Sequence, residues 1–127
     1  MSVNKESTRY FSDIHEKSVC KLLNAQQQSS SGSGKFRKGD VVQHDASLLI
    51  ECKTVLSDKD SISIKKDWIE KNNQEKFSQR LSSGVIAFNF GPNQPNYFVI
   101  DSKLMRFLVE KLSEENKWKL LTGLNQS

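Results

Sequence analysis

Apolar residues follow a helical spacing near the start of the chain and form shorter, strand-like runs soon after it. Ile14, Val19 and Leu22 lie on one side of a helix predicted over residues 10–25, with lysines on the opposite side. Residues 39–44 and 48–54 mix apolar and β-branched side chains in short runs, which is typical of buried strands. A tight turn at residues 45–46 is predicted to join these two strands.

The second half of the chain predicts a helix, a hairpin and a final helix. The first helix covers residues 65–82, ends at Gly84, and leaves its lysines exposed beside a narrow apolar stripe. That stripe consists of Trp68, Ile69, Phe77 and Leu81. Strands at 85–90 and 97–101 flank a turn that contains glycine and two prolines. The last helix starts near Ser102 and is predicted to face inward through Leu104, Phe107, Leu108 and Leu112.

This order, α-β-β-α-β-β-α, indicates a mixed β-sheet flanked by helices, of the α/β (α+β) class. A chain of 127 residues can bury one hydrophobic core, so residues 1–127 are interpreted as a single domain. Residues 26–34 (QQQSSSGSG) contain only glutamine, serine and glycine. Because glycine and serine leave the backbone unconstrained, we expect a flexible loop there.

Composition permits a nucleic-acid partner without requiring one. Nineteen basic and fifteen acidic residues give a net charge of +4, which many ordinary domains also carry. No apolar run is long enough to span a membrane, and the first residues lack the apolar stretch of an export signal. We therefore expect a cytoplasmic protein with no membrane partner. Cys20 and Cys52 are expected to be free, buried thiols.

Three charged residues in the two early strands are the candidates for chemistry. Glu51 and Lys53 are two residues apart on one strand, so their side chains project from the same face. Asp40 lies on the preceding strand, across a short turn, and can sit beside Glu51. Burying two neighbouring carboxylates is costly because each loses water and the two repel each other.

A divalent cation would remove both costs. Carboxylate oxygens with water in the remaining positions suit Mg²⁺ or Mn²⁺, with Asp40 and Glu51 as ligands. Such a metal lowers the pKa of a bound water and stabilises negative charge that develops on a phosphate. Lys53 could orient that water, and the backbone carbonyl of Cys52 is a further candidate ligand. The competing interpretation is a surface hairpin on which these charges form an ordinary solvated ion pair.

Glu16 is a candidate fourth member of the site. It shares a helix face with Cys20 and Leu23, so its carboxylate could reach the metal directly or through water. A glutamate that simply faces solvent is the alternative. His15 and His44 are expected to be surface residues, and no role is assigned to them.

These residues resemble the archaeal-type Holliday junction resolvases of the PD-(D/E)xK nuclease superfamily. The resemblance runs from Glu16 to Phe90. It is carried by the helix glutamate, the SGSG of residues 31–34, the GD that ends at Asp40, and the ECK of residues 51–53. It implies a restriction-endonuclease-like fold and a Mg²⁺-dependent endonuclease that cuts four-way DNA junctions as a homodimer.

The same resemblance implies individual roles. Glu16, Asp40 and Glu51 would bind metal, Lys53 would assist catalysis, and Ser31 would act from the mobile loop. Two features depart from the family. Glutamines occupy positions 26–28, where an arginine is usual, and the segment beyond Leu112 has no counterpart.

Two other functions remain open at this point. A restriction-like or replication-associated nuclease could use the same site on a different DNA structure, because a fold does not fix its substrate. A non-catalytic DNA-binding module of the same fold is the third hypothesis, and metal-independent binding without cleavage would favour it.

Overall fold

The computed structural model describes residues 5–28, 40–55 and 60–123, with side chains described from Tyr10 onward. These residues form three helices and five strands in the order α-β-β-β-α-β-β-α. The helices are α1 (Lys5–Leu23), α2 (Lys66–Ser78) and α3 (Ser102–Thr122). The strands are β1 (Gln26–Gln27), β2 (Asp40–Gln43), β3 (Leu48–Thr54), β4 (Ser83–Asn89) and β5 (Tyr97–Val99).

The five strands form one mixed sheet in the order β1-β2-β3-β4-β5. β3 lies at its centre, antiparallel to β2 and parallel to β4, and the remaining neighbours are antiparallel. A parallel pair needs a long crossover connection, and α2 provides it between β3 and β4. The class predicted from the sequence, a mixed sheet with flanking helices, is therefore confirmed.

Each face of the sheet buries apolar side chains under a helix. Val19 of α1 packs against one face, in a core whose members are all 3% exposed or less: Val19, Val41, Ile50, Val85 and Ala87. The opposite face carries buried Val42, Leu49 and Ile86, and α2 packs on β3 and β4. Strand β3 is thus covered on both sides, which explains its nearly continuous apolar sequence.

The buried residue of α2 is an asparagine. Asn72 is 4% exposed, and its Nδ2 donates to the carbonyl oxygens of Leu49 and Val85, each at 3.4 Å. Phe77, predicted to lie on the buried stripe, is instead 81% exposed. Gly84 does not end the helix as predicted. It lies in β4, and a side chain there would collide with the Asn72 amide.

Helix α3 begins at Ser102 as predicted, because Asp101 caps it by accepting a hydrogen bond of 2.8 Å from the Leu104 backbone N–H. Leu104 is half-buried against the core. The predicted inward orientation of Phe107, Leu108 and Leu112 is wrong, since these residues are 52%, 40% and 62% exposed.

The Gln/Ser/Gly segment was predicted as a loop over residues 26–34. The prediction is wrong for residues 26–27, which form β1 and pair with Val42 and Val41. This strand is missing from the predicted order α-β-β-α-β-β-α, which is wrong at this point. Pairing with β2 gives this polar dipeptide an extended conformation that its own composition does not favour. Residues 29–34 lie outside the described part of the chain.

Cys20 and Cys52 are free thiols, as expected, but both are partly exposed rather than buried, because they lie at the margin of the core. Across the described residues, every helix is too short or too polar to cross a lipid bilayer.

The close approach of Gly84 to Asn72 predicts a coupled pair of mutations. Gly84→Ala should destabilise the fold by about 1–3 kcal/mol, because the new methyl group would displace the Asn72 amide. Asn72→Ala alone should cost about 1 kcal/mol through its lost hydrogen bonds. Removing the amide also makes room for the methyl group, so urea unfolding of the double variant should show a loss smaller than the sum. Strict additivity would contradict this explanation.

Candidate active site

Asp40 and Glu51 lie directly opposite each other across β2 and β3. Residues paired in this way project from the same face, with their Cβ atoms about 5 Å apart. Asp40 is fully buried and Glu51 is 5% exposed. The structure therefore brings these two predicted site residues together, in the interior rather than on a solvated hairpin.

Lys53 lies next to this pair on the same face of β3. Its Nζ is 3.5 Å from Oε1 of Glu51, and its side chain is 22% exposed. The same Nζ lies 4.5 Å from the centre of the Trp68 ring of α2, a cation–π contact. The ammonium group is thus held between a carboxylate and an aromatic ring. Trp68 was predicted as part of the apolar stripe, and its contact with Lys53 was not foreseen.

Glu16 approaches the same end of the sheet from α1, which packs on the face opposite the Asp40 and Glu51 side chains. It is 5% exposed, which excludes the solvent-facing alternative. Its Oε1 accepts a hydrogen bond of 3.1 Å from Nε2 of Gln27 in β1. The backbone N–H of the following residue, Gln28, donates to the Asp40 carbonyl at 3.0 Å. Strand β1 therefore connects the helix glutamate to the first residue of β2.

Cys52 lies between the charged groups but turns its side chain toward the core. Burial raises the pKa of the Cys52 thiol, and the negative charges of Glu16, Asp40 and Glu51 raise it further. The backbone carbonyl of Cys52 lies in β3 between the side chains of Glu51 and Lys53.

Not every predicted site residue can be placed. Ser31 lies outside the described residues. Within the described ranges, three or more histidine, cysteine, aspartate or glutamate side chains do not converge closely enough to form a metal-ligand cluster. A cation at the Asp40–Glu51 pair would consequently need water or backbone oxygens to complete its coordination.

A polar network on the α1 face was missed by the sequence analysis. His15 was expected at the surface but is 2% exposed, with Nδ1 at 3.2 Å from Oγ1 of Thr54. Burial lowers the pKa of His15, and a hydrogen bond with Asn96 partly opposes this. Asn96 also donates to Ser18 at 2.8 Å. The signal was available, because His15 precedes the buried Val19 by one helical turn. His44 is exposed, as expected.

A small pocket adjoins this network. It is lined by Phe11, Ile14, His15, Ser18, Thr54, Asn89, Pro92 and Asn93. It lies at the carboxyl ends of the parallel strands β3 and β4, on the face opposite Glu51 and Lys53.

A cluster of aromatic side chains lies beside Lys53, on the same face of the sheet. Phe88 of β4 is in register with Lys53, and Tyr97 of β5 is in register with Phe88. The Phe88 and Tyr97 rings are stacked with their centres 5.7 Å apart. Phe90 contacts both rings edge-on, at 5.8 Å from Phe88 and 6.4 Å from Tyr97.

Comparison of the chain with protein-family models, with curated proteins and with solved structures finds no match. The function proposed below therefore depends on the geometry of the site and on the resemblance in its motifs.

Proposed function

We propose that the chain is a metal-dependent DNA endonuclease of the PD-(D/E)xK class with a restriction-endonuclease-like fold. The observation that supports it is the pairing of Asp40 with Glu51 in the sheet interior, with Lys53 on the same face. Two adjacent carboxylates with a lysine beside them supply the hard oxygen donors and the positive charge that a metal-dependent phosphodiesterase site uses.

Asp40 and Glu51 are the residues that would hold Mg²⁺ or Mn²⁺, because both supply hard oxygen donors. The Cys52 carbonyl and Glu16, the latter directly or through water, are the proposed further ligands. When bound, the cation would supply a coordinated water of lowered pKa and positive charge beside a phosphate.

Lys53 is the residue we propose to act on the attacking water. Its ammonium group lies beside Glu51 and over Trp68, so its position is restricted compared with a solvent-exposed lysine. From there it can donate a hydrogen bond to the water or to a phosphate oxygen, and both contacts favour the developing negative charge. Trp68 would act as a positioning residue through this contact.

A four-way (Holliday) junction is the substrate we propose first. It is favoured by the order of Glu16, the SGSG segment, Asp40 and the ECK of residues 51–53, which resembles the junction resolvases. Selectivity would come from the geometry of the assembly and from contacts with the DNA backbone rather than from base reading. A nuclease for another DNA structure is the alternative. A non-catalytic DNA-binding module has less support, because such a module would not need a buried carboxylate pair beside a lysine.

A second copy of the chain is the partner we propose for α3. From Met105 to Thr122, every side chain of this helix is exposed except the half-buried Lys119. The large apolar side chains left in contact with water are Met105, Phe107, Leu108, Val109, Leu112, Trp118, Leu120 and Leu121. An apolar surface of this extent is typical of a protein–protein contact.

A homodimer is also what the resemblance to the junction resolvases implies, so a second copy of the chain is the proposed partner for this apolar face.

The first prediction concerns cleavage. With Mg²⁺, the wild-type protein should make paired cuts in a labelled four-way junction and leave a linear duplex of the same sequence intact, whereas EDTA should abolish cleavage. Glu51→Gln should reduce the rate at least about a hundredfold, since it removes a metal-binding charge. Glu70→Gln on the exposed side of α2 is the matched control and should cut normally.

The same assay separates the three hypotheses. Cleavage of both substrates would keep the nuclease and exclude the junction preference. Binding without cleavage would favour the DNA-binding module, and retained activity in Glu51→Gln would remove this residue from the site.

The second prediction concerns metal binding without DNA. A ligand that binds only the folded state stabilises it by about 1.4 kcal/mol at about ten times its Kd. Mg²⁺ should therefore raise the wild-type unfolding temperature by several degrees relative to EDTA, and Asp40→Asn should lose this increase. Asp45→Asn, in an exposed turn, should keep it. An equal response in all three proteins would exclude a site at Asp40.

The third prediction concerns assembly. Wild-type protein at micromolar concentration should sediment at twice the 14.5 kDa chain mass, and Leu108→Glu should sediment as a monomer. Ser113→Glu adds the same charge about 140° away around α3 and should remain dimeric. A monomeric wild type, or a dimeric Leu108→Glu, would contradict the proposal.

A further inference from the structure

The cluster formed by Phe88, Phe90 and Tyr97, which we call the aromatic platform, lies beside the candidate active site. Lys53, Phe88 and Tyr97 occupy neighbouring strands at the same level of the sheet and project from one face. Neighbouring strands are about 4.8 Å apart, so Tyr97 is about 10 Å from Lys53. A nucleotide adjacent to a phosphate held at Lys53 would reach the platform.

Two of the three rings of the platform are accessible to a ligand. Tyr97 is 50% exposed and Phe90 is 37% exposed, although aromatic rings are stabilised by leaving water. The three rings contact one another through stacked and edge-on geometries, with centres 5.7–6.4 Å apart. Through these contacts the three rings form one continuous surface.

Exposed aromatic side chains on a β-sheet can stack against nucleobases. A base within a duplex has both of its faces covered by neighbouring bases, so only an unpaired or extruded base can use such a surface. Stacking does not depend on base identity, because every base has a π-face. A platform of this kind therefore recognises DNA that is locally unpaired rather than a particular sequence.

We propose that the aromatic platform binds an unpaired nucleobase of the strand whose phosphate lies at Lys53. The inference rests on the proposed nuclease function and deepens it by naming the substrate class: DNA with at least one unpaired nucleotide next to the scissile phosphate. Branch points that open a base pair, and single-stranded tails beside a duplex, both belong to this class.

The test measures binding without cleavage, so that it does not depend on catalysis. Glu51→Gln protein in EDTA is titrated into a fluorescein-labelled oligothymidylate and, separately, into a duplex of the same length. A single 2-aminopurine in the oligothymidylate reports stacking through loss of its fluorescence. The variants, made in the same background, are Tyr97→Ala, Phe90→Ala and Tyr97→Phe, with Phe77→Ala as the control because Phe77 is an exposed aromatic on α2.

We expect Tyr97→Ala and Phe90→Ala each to weaken single-strand binding about five- to hundredfold and to restore 2-aminopurine fluorescence. Tyr97→Phe keeps the ring and should bind as the parent does, as should Phe77→Ala. Duplex affinity should be unchanged in every variant. Thermal unfolding is measured alongside, and Phe90→Ala, which lies beyond the end of β4, provides a second readout should Tyr97→Ala fail to fold.

Several results would overturn the proposal. Unchanged single-strand binding in both alanine variants would exclude the platform as a base site, as would an equal loss on single strand and duplex. A parent protein that cleaves junction or duplex DNA but shows no 2-aminopurine quenching would also refute it, while leaving the nuclease function intact. Absence of both DNA binding and cleavage would instead refute the proposed function, and this inference with it.

Discussion

The pairing of Asp40 with Glu51 across β2 and β3 buries two carboxylates in the interior of the sheet, where water has little access. The side chains that surround this pair come from several neighbouring elements. Lys53 projects from the same face of β3 as Glu51, and its ammonium group contacts the Glu51 carboxylate and the Trp68 ring. Glu16 approaches from α1 and is held by a glutamine of β1. These contacts come from both covering helices and from β1 as well as from β3 itself, so the surroundings of the buried pair depend on several elements being in place.

The elements that were predicted most accurately are those specified by short, local sequence patterns. Strand β3 was predicted with its observed bounds, because an apolar strand buried on both faces needs no partner to be recognised. The start of α3 was predicted near Ser102, and the structure places the Asp101 cap there. The pairing of Asp40, Glu51 and Lys53 on one face was predicted as well, since alternation along a strand and a short turn determine it.

The features that were missed depend on contacts between distant segments. Asn72 is buried because two strand carbonyls accept its hydrogen bonds and because Gly84 leaves room for its amide, and neither condition can be read from the sequence of α2. His15 is buried at a contact with Thr54, a residue that lies far along the chain. In α3 the periodicity correctly predicted that one face of the helix is apolar. It did not predict whether that face packs within the chain or against another chain, because both arrangements produce the same pattern.

The surroundings of the two cysteines have a practical consequence for labelling. Burial and neighbouring carboxylates raise the pKa of Cys52, and burial followed by the charge of Glu16 raises that of Cys20. Only the thiolate attacks maleimides and iodoacetamides at a useful rate, so both native thiols should react slowly at neutral pH. A cysteine introduced on the exposed surface could therefore be tagged selectively with a dye or spin probe, without first removing the native pair.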